Sequence, residues 1–530
     1  MRKGERINLF LFWLITTTIT SLPYIVGWLT SNGNFDFTGL LIGVEDGNSY
    51  LAKMLAGAKG AWLFKTPYTA FPQQGFLAFL PYLLLGKLSG PDGDYQTRII
   101  LFHLFRIMGV GFCSYSIYRF IGIFTQEERS RIFALILSVL GGGFGFLYFL
   151  GFKELWSYLP LEFYSPETFG FLSFLSIPYL IWARGFLFLG LAKYLENRSN
   201  NFLKEGLIIG ILWNLLALMQ PLTVPIGWLI LTVYCLIELI LAKWRGNIDI
   251  RKSLFADLMK LIVIVLISSP LVIYTFFAFQ IDPFLKLWQS QNIILSPSFI
   301  EYMLAYGLLI PFAFLGMLNN RRRSEFRFLI VWVCILPLLI YTPYQLQRRL
   351  AEGGIVVLSI LAIDGLSRVR DRIGKFEIFW YSMNFITTFI LLSGLMIAIF
   401  SKAFPLYLDK EDVQLFQNVR KLIPDQSVVL ADWEISTLLP AHAPVRVIIG
   451  HGPESIRAKQ IKDQLDFLYI QGDMFEFYTF LIDEEVDYWI IRKSKIPEFM
   501  KVGSNNVEFL HEIAQNNKYI IYKVNPLVMK

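Results

Sequence analysis

The sequence predicts a polytopic α-helical membrane protein with a C-terminal extracytoplasmic α/β domain. Of its 530 residues, 55% are hydrophobic and only 17% are charged, the balance of a chain whose solvent is largely lipid. About eleven apolar runs approach the roughly 20 residues that a helix needs to cross a bilayer. Past residue 400 those runs shorten and charge returns. Aromatic residues make up 16%, with 48 Phe, which suits lipid-facing helices and interfacial belts.

The first run, 7–29, follows Arg2, Lys3 and Arg6. It is too long for a secretory leader and lacks a small-residue cleavage site, so it reads as an uncleaved span. The others fall at 98–118, 131–151, 170–191, 205–219, 222–242, 258–280, 300–318, 327–342, 353–367 and 377–400. Charge fixes the orientation. With the N-terminus inside, the inner loops hold Arg119, Arg129, Arg131, Lys193, Arg198, Lys204, Lys243, Arg245, Arg251, Lys252, Arg321–Arg323, Arg327, Arg368, Arg370, Arg372 and Lys375. The outer loops are longer in total and hold far fewer cations, as the positive-inside rule requires. The net charge of +7 therefore reports topology and points to no nucleic-acid partner. Segment 71–89 is apolar enough to tempt a further span, but counting it would put every later basic loop outside. It reads as an interfacial or re-entrant helix, broken at Pro81, within one long outer loop, 30–97.

Residues 1–400 thus form a transmembrane module and 401–530 an outer domain. Strands are expected at 427–431, 445–449, 487–491 and 519–524, with helices near 410–422, 453–468 and 474–485. Cys113, Cys235 and Cys334 all lie in apolar segments, which gives neither a disulfide framework nor metal-type spacing.

Chemistry is expected where charge meets the outer face. Asp36, Glu45 and Asp46 follow the first span, and a helix starts near Asn48. Carboxylates held there suit proton abstraction or a divalent cation; the bland alternative is an acidic loop that only solvates itself. Arg98, His103 and Arg106 lie in the outer half of the second span, with His103 and Arg106 on one helical face, suited to an anionic group. Arg184 is deep in the fourth span and reads as snorkelling inward. Arg348 and Arg349 stand outside, against the charge rule, beside Tyr341 and Tyr344, and suit a lipid phosphate gripped bidentately; a salt bridge to Glu352 would serve as well. Glu162 and Glu167 sit among aromatics that could stack on a sugar, or Glu167 is simply a first-turn helix acid. His451 lies in a Gly-His-Gly-Pro turn and reads as a turn residue; His442 and His511 have no evident partners. Phosphate-loop, dinucleotide, zinc-protease and Ser-His-Asp patterns are missing.

An inner terminus, a first span, an outer loop opening with acids and a helix, an interfacial helix, an Arg opening the second span and a C-terminal outer domain resemble the GT-C class of integral membrane glycosyltransferases. The likeness is nearest to the protein O-mannosyltransferase and aminoarabinose-transferase branch. It is carried by Glu45-Asp46-Gly-Asn-Ser-Tyr50, by Thr66 to Gly75, by Leu85-Gly86 and by Arg98. The resemblance implies a catalytic carboxylate at Asp46, with Glu45 as the fallback, and a polyprenyl-phosphate sugar donor. It implies that basic outer residues, here Arg98, Arg106, Arg348 or Arg349, hold the phosphate. Asp36, Tyr50, His103, Glu162 and Glu167 are then candidates for the sugar or for a glycan, lipid or protein acceptor. Relatives often carry a further acid or a Pro-Pro pair where Phe71, Gln73 and Gln74 stand here, which leaves a second carboxylate and a bound metal unsupported. Two other classes fit less well. A lipid-linked saccharide flippase would need polar or broken mid-membrane helices, hinted at only by Pro221, Pro225, Pro270 and Pro337. A membrane scaffold would use the outer domain for binding alone.

Overall fold

The computed structural model describes residues 2–196, 201–246, 248–502 and 509–525; Arg198, counted among the inner cations, lies outside them. The chain divides into two compact units. Unit 1 comprises Met1–Pro23, His103–Phe277 and Ile293–Ile397; unit 2 comprises Tyr24–Phe102, Ala278–Asn292 and Ala398–Lys530.

Seven helices among the described residues are long and apolar enough to cross a membrane: Lys3–Leu29, Tyr95–Phe124, Phe202–Met219, Thr223–Trp244, Leu254–Ile281, Gln347–Arg372 and Phe376–Ser401. Two bent pairs, Glu128–Leu140 with Phe144–Leu150 (43°) and Phe299–Ala305 with Ile310–Asn320 (86°), raise this to nine. The chain is an integral membrane protein. The two remaining predicted spans are also helical but fall short. Ser324–Ile340 has 17 residues, about 26 Å at 1.5 Å per residue. The run 170–191 is two helices, Gly170–Ser176 and Pro178–Glu196. Pro178 disfavours helical backbone at Ile177, so the second helix starts afresh at the proline.

In unit 1 the last-but-one span is the most enclosed, with 89% of its apolar window buried. Glycines bring its backbone against the Ile310–Asn320 helix: a Cβ on Gly316 would lie 2.2 Å from the Leu361 carbonyl oxygen, and one on Gly365 2.0 Å from that of Phe312. Such small-residue contact is a common substitute for the missing hydrophobic drive between helices in lipid. Arg184 does not snorkel. It is buried with Glu352, Nε to Oε1 at 2.5 Å, and also donates to Ser173 and to the Pro166 carbonyl, because an acid one helix away neutralises it more cheaply than a distant interface.

In unit 2 a five-stranded mixed sheet runs in the order β4-β3-β5-β7-β6, with β3 at Val428–Leu430, β4 at Arg446–Val447, β5 at Tyr488–Arg492, β6 at Leu510–Gln515 and β7 at Tyr519–Val524. β3 pairs parallel with β4 and β5; β7 pairs antiparallel with β5 and β6. All four expected strands are present. β6 and the Trp433–His442 helix were not expected. β1 (Phe35–Phe37) and β2 (Tyr407–Asp409) form a separate antiparallel ribbon, Phe35 opposite Asp409, which ties the first loop to the start of the C-terminal region. The 71–89 segment differs from expectation: only Leu80–Leu88 is helical, and Pro81 opens that helix instead of breaking it, since a first-turn proline gives up no helix hydrogen bond.

Candidate functional site

Glu45 and Asp46 lie in the first turn of a helix, Val44–Ala58, that starts four residues earlier than the sequence suggested. Gly43 precedes it in the left-handed region at φ 59° and no side chain caps it. Glu45 and Asp46 instead place negative charge in its first turn, where the helix dipole favours it. Gly47 is required by packing: a Cβ there would meet Leu40 at 2.7 Å. Four-residue spacing then puts Ser49 and Lys53 on the face below Glu45.

A turn from the C-terminal region meets this face. Ser455 Oγ accepts the backbone N–H of both Gly450 and His451 at 3.0 Å, and Thr437 donates to the Gly450 carbonyl at 2.6 Å. The turn is thereby fixed, and it delivers three contacts. His451 Nε2 lies 3.2 Å from Asp46 Oδ1. The Gly452 N–H donates to Glu45 Oε1. Glu454 receives Lys53 Nζ at 2.8 Å, Ser49 Oγ at 3.1 Å and, on its other oxygen, Thr66 Oγ1 at 2.5 Å. Lys53 and Glu454 are only 1% and 3% exposed. Lys53 is boxed by Phe79, Phe64 and Tyr50, its Nζ 4.3, 5.0 and 5.6 Å from their ring centroids.

The charges explain one another. Burial pushes the Glu454 carboxyl up, but Lys53, then His451, then the Lys53 and Thr66 hydrogen bonds outweigh it and hold it at about 2. Burial pulls His451 down; Glu454 first and then Asp46 outweigh that against Lys53, so the imidazole is raised above its usual value. The Tyr68 hydroxyl, buried and surrounded by Glu454, Glu45 and Asp46, is held well above its normal range and donates to the Thr437 carbonyl at 3.0 Å. The Asp46 side chain is 57% exposed while its His451 partner is 8% exposed. The site is thus an open carboxylate on a buried, charge-paired footing. No three His, Cys, Asp or Glu side chains among the described residues form a group able to hold a metal ion. Glu45 and Asp46 are engaged instead by the Gly452 N–H and by His451.

The other predicted residues have these places. In unit 2, Arg98 is buried and spends its guanidinium on the carbonyls of Gly93 (3.0 Å), Leu51 (2.5 Å) and Ala441 (2.6 Å); it clamps the Val44–Ala58 and Trp433–His442 helices instead of facing a ligand. Tyr50 is stacked on Tyr82 at 4.6 Å, inside the packing. Asp36 is exposed on β1. In unit 1, Arg106 donates to Ser21 Oγ (2.8 Å), Thr20 Oγ1 (3.1 Å), the Phe174 carbonyl (3.1 Å) and His103 Nδ1 (3.3 Å), so it too is occupied by the protein. Arg349 pairs with buried Glu167 at 3.5 Å. Arg348 lies over the Tyr164 ring at 4.6 Å. Glu162 accepts from the Gly145 and Gly143 N–H groups at 2.8 and 3.2 Å, and burial still pushes it up to about 7.

His451, Glu454, Lys53 and Thr66 were not singled out as a group by the sequence. Their only signal was the Gly-His-Gly-Pro turn, and nothing local links it to a helix 400 positions earlier.

No family model and no curated protein matches the chain. Solved structures do. Archaeal oligosaccharyltransferase AglB from Archaeoglobus fulgidus, in complex with an inhibitory peptide and a dolichol-phosphate, aligns with 93% of this chain and 70% of its own at TM-score 0.54 and 12% identity. The A. fulgidus oligosaccharyltransferase in complex with Zn and sulfate aligns with 91% of this chain and 67% of its own at 0.54 and 13%. ArnT from Cupriavidus metallidurans in the apo state aligns with 97% of this chain and 98% of its own at 0.50 and 11%. AglB and ArnT are GT-C glycosyltransferases, and this chain has their fold.

Proposed function

We propose that the protein is a membrane glycosyltransferase that moves a sugar from a polyprenyl-phosphate-linked donor to a glycan, lipid or protein acceptor on the outer face of the membrane. The observation that carries the reading is the Asp46 carboxylate, open to solvent at a helix start and held from behind by His451, in a chain with the GT-C fold. The AglB neighbour that holds a dolichol-phosphate and an inhibitory peptide supports a lipid-phosphate donor and a separate acceptor. The basic-loop asymmetry supports a cytoplasmic N-terminus and an extracytoplasmic C-terminal region.

In this reading Asp46 takes the proton of the attacking acceptor group as the new bond forms at the sugar's anomeric carbon. The bond from that carbon to the phosphate oxygen breaks, and polyprenyl phosphate leaves with the electron pair. Glu45, tied to the Gly452 N–H, is the poorer candidate.

The test is Asp46→Asn in purified protein. Release of polyprenyl phosphate is followed from radiolabelled polyprenyl-phosphate-mannose, -glucose and -N-acetylglucosamine. Removing a general base lowers turnover by about 100-fold or more, while losing the His451 contact and one first-turn charge shifts the unfolding midpoint only slightly, because the side chain is exposed. Turnover at the wild-type rate would remove Asp46 from the mechanism.

A further inference from the structure

We propose that His451 is the positioning residue for Asp46: a turn from the C-terminal region, fixed by Ser455, holds a protonated imidazole that sets the direction of the reactive carboxylate. This rests on the glycosyltransferase reading and adds to it the residue that makes Asp46 competent.

The geometry is a line of three groups. His451 Nε2 is 3.2 Å from Asp46 Oδ1, and Nδ1 is 3.8 Å from Glu454 Oε1. The first is a hydrogen bond and the second a charge contact, too long for a hydrogen bond, so the ring stands between two carboxylates that both favour its protonated form. The groups facing the ring are Asp46 and Lys53 from the Val44–Ala58 helix, Glu454 from its own turn, and Tyr68, whose ring lies 5.2 Å away. Glu45 stands beside them on Gly452. Buried and committed to Lys53, Thr66 and Ser49, Glu454 keeps its negative charge and so favours the protonated ring. An imidazolium cannot take a second proton. His451 therefore holds Asp46 and does not relay the proton that Asp46 accepts. The N–H groups of Gly450 and His451 both close on Ser455, which fixes the backbone that carries the ring.

Two consequences separate holding from mere folding. The first is kinetic. Losing a hydrogen bond between charged groups that acts on the reacting carboxylate lowers kcat by about 10- to 100-fold in His451→Ala, with KM for the lipid donor nearly unchanged. His451→Gln, which keeps an N–H within reach, recovers part of that loss. The second is the pH profile. The imidazole is raised above its usual value, so wild-type kcat falls as pH rises through that titration, above 6.5, and the alkaline limb disappears in His451→Gln, which has nothing to titrate.

The pairing is also read without turnover. Protein labelled with 15N-histidine in detergent micelles gives ring signals from four histidines, and His451→Gln identifies the one that matters. Its midpoint lies above 6.5 in the wild type and drops in Asp46→Asn. A midpoint at or below 6.5, or one that Asp46→Asn leaves in place, overturns the pairing. Asp46→Asn inactive with both His451 variants at wild-type kcat and pH profile overturns the positioning role and leaves the glycosyltransferase reading standing. If Asp46→Asn also keeps wild-type turnover, the functional reading falls, and with it the role proposed for His451. Should His451→Ala fail to fold, His451→Gln and the ring titration decide alone.

Discussion

Glu454→Gln should destabilise unit 2 by about 3 kcal/mol, and two independent routes give that figure. Holding the carboxyl near 2 instead of 4.5, at 1.36 kcal/mol per pH unit, is worth roughly 3.4 kcal/mol. Breaking one side of a buried ion pair typically costs about 3–5 kcal/mol, because the partner charge stays buried alone, and here Lys53 is sealed among aromatic rings. For a folded body of roughly 150–250 residues, 3 kcal/mol lowers the unfolding midpoint by about 6–12 °C. Intrinsic tryptophan fluorescence of the purified protein in detergent reads this directly, since unit 2 holds buried Trp489. The sign with pH follows from linkage. A depressed carboxyl contributes its stability above the unfolded value of 4.5 and loses it as pH falls toward about 2, so the wild type should lose midpoint across that window and Glu454→Gln should not. A second substitution sharpens the test. Lys53→Met in the Glu454→Gln background removes the stranded charge and should restore a good part of the loss, whereas independent sites would simply add. A Glu454→Gln midpoint within about 2 °C of wild type, with an unchanged acid profile, would refute the claim that this ion pair holds the C-terminal turn against the Val44–Ala58 helix.

Arg98→Met should behave as a structural lesion, with a midpoint loss of about 3 kcal/mol or more from three carbonyls stripped of a charged donor. Donor KM in whatever protein folds should be unchanged, whereas a phosphate ligand would show the reverse pattern. His442 is stacked between Tyr95 and Phe416 at 4.2 and 4.3 Å, and burial, then Arg98 and Arg420, push it down to about 3. A depressed histidine loses stability as pH falls from 6.5, because only the unfolded chain takes the proton. His442→Phe should therefore fold and flatten the decline between pH 6.5 and about 3, as thermal scans at stepped pH would report.

Much of this fold could be read because its determinants are local. A run of apolar residues must be helical in lipid, since unpaired backbone groups have no water to meet, and the expected span segments are indeed helices or helix pairs. The C-terminal helices at 410–422 and 474–483 carry Asp N-caps and capping boxes that sequence alone displays. The errors fall where a local rule has two outcomes. Pro81 and Pro178 were each set in an apolar stretch, and a proline there either kinks a helix or starts one. Both start one. β6 is half-exposed and reads as polar, and the Trp433–His442 helix carries Pro440 inside it, so neither shows the period of its own element.

The site divides along the same line. Glu45 and Asp46 were legible because they cluster in sequence beside a span. The arginines were legible as charges in costly places, but their use was not, because a guanidinium has five donors and a sequence does not say how many the protein itself consumes. Arg98 meets backbone carbonyls that any residue type could have supplied, and Arg106 meets hydroxyls of a distant helix, so no local pattern announced their use. His451 is the reverse case, plain in type and unreadable in role until folding closes a separation of 405 positions to 3.2 Å. A reading confined to the first loop therefore finds Asp46 and misses the turn that meets it. The C-terminal region is then no appendage to the first loop. Lys53 and Glu454 bind the two into one electrostatic unit, and a chain truncated before the turn would leave Lys53 buried with no counter-charge and Asp46 with no holder.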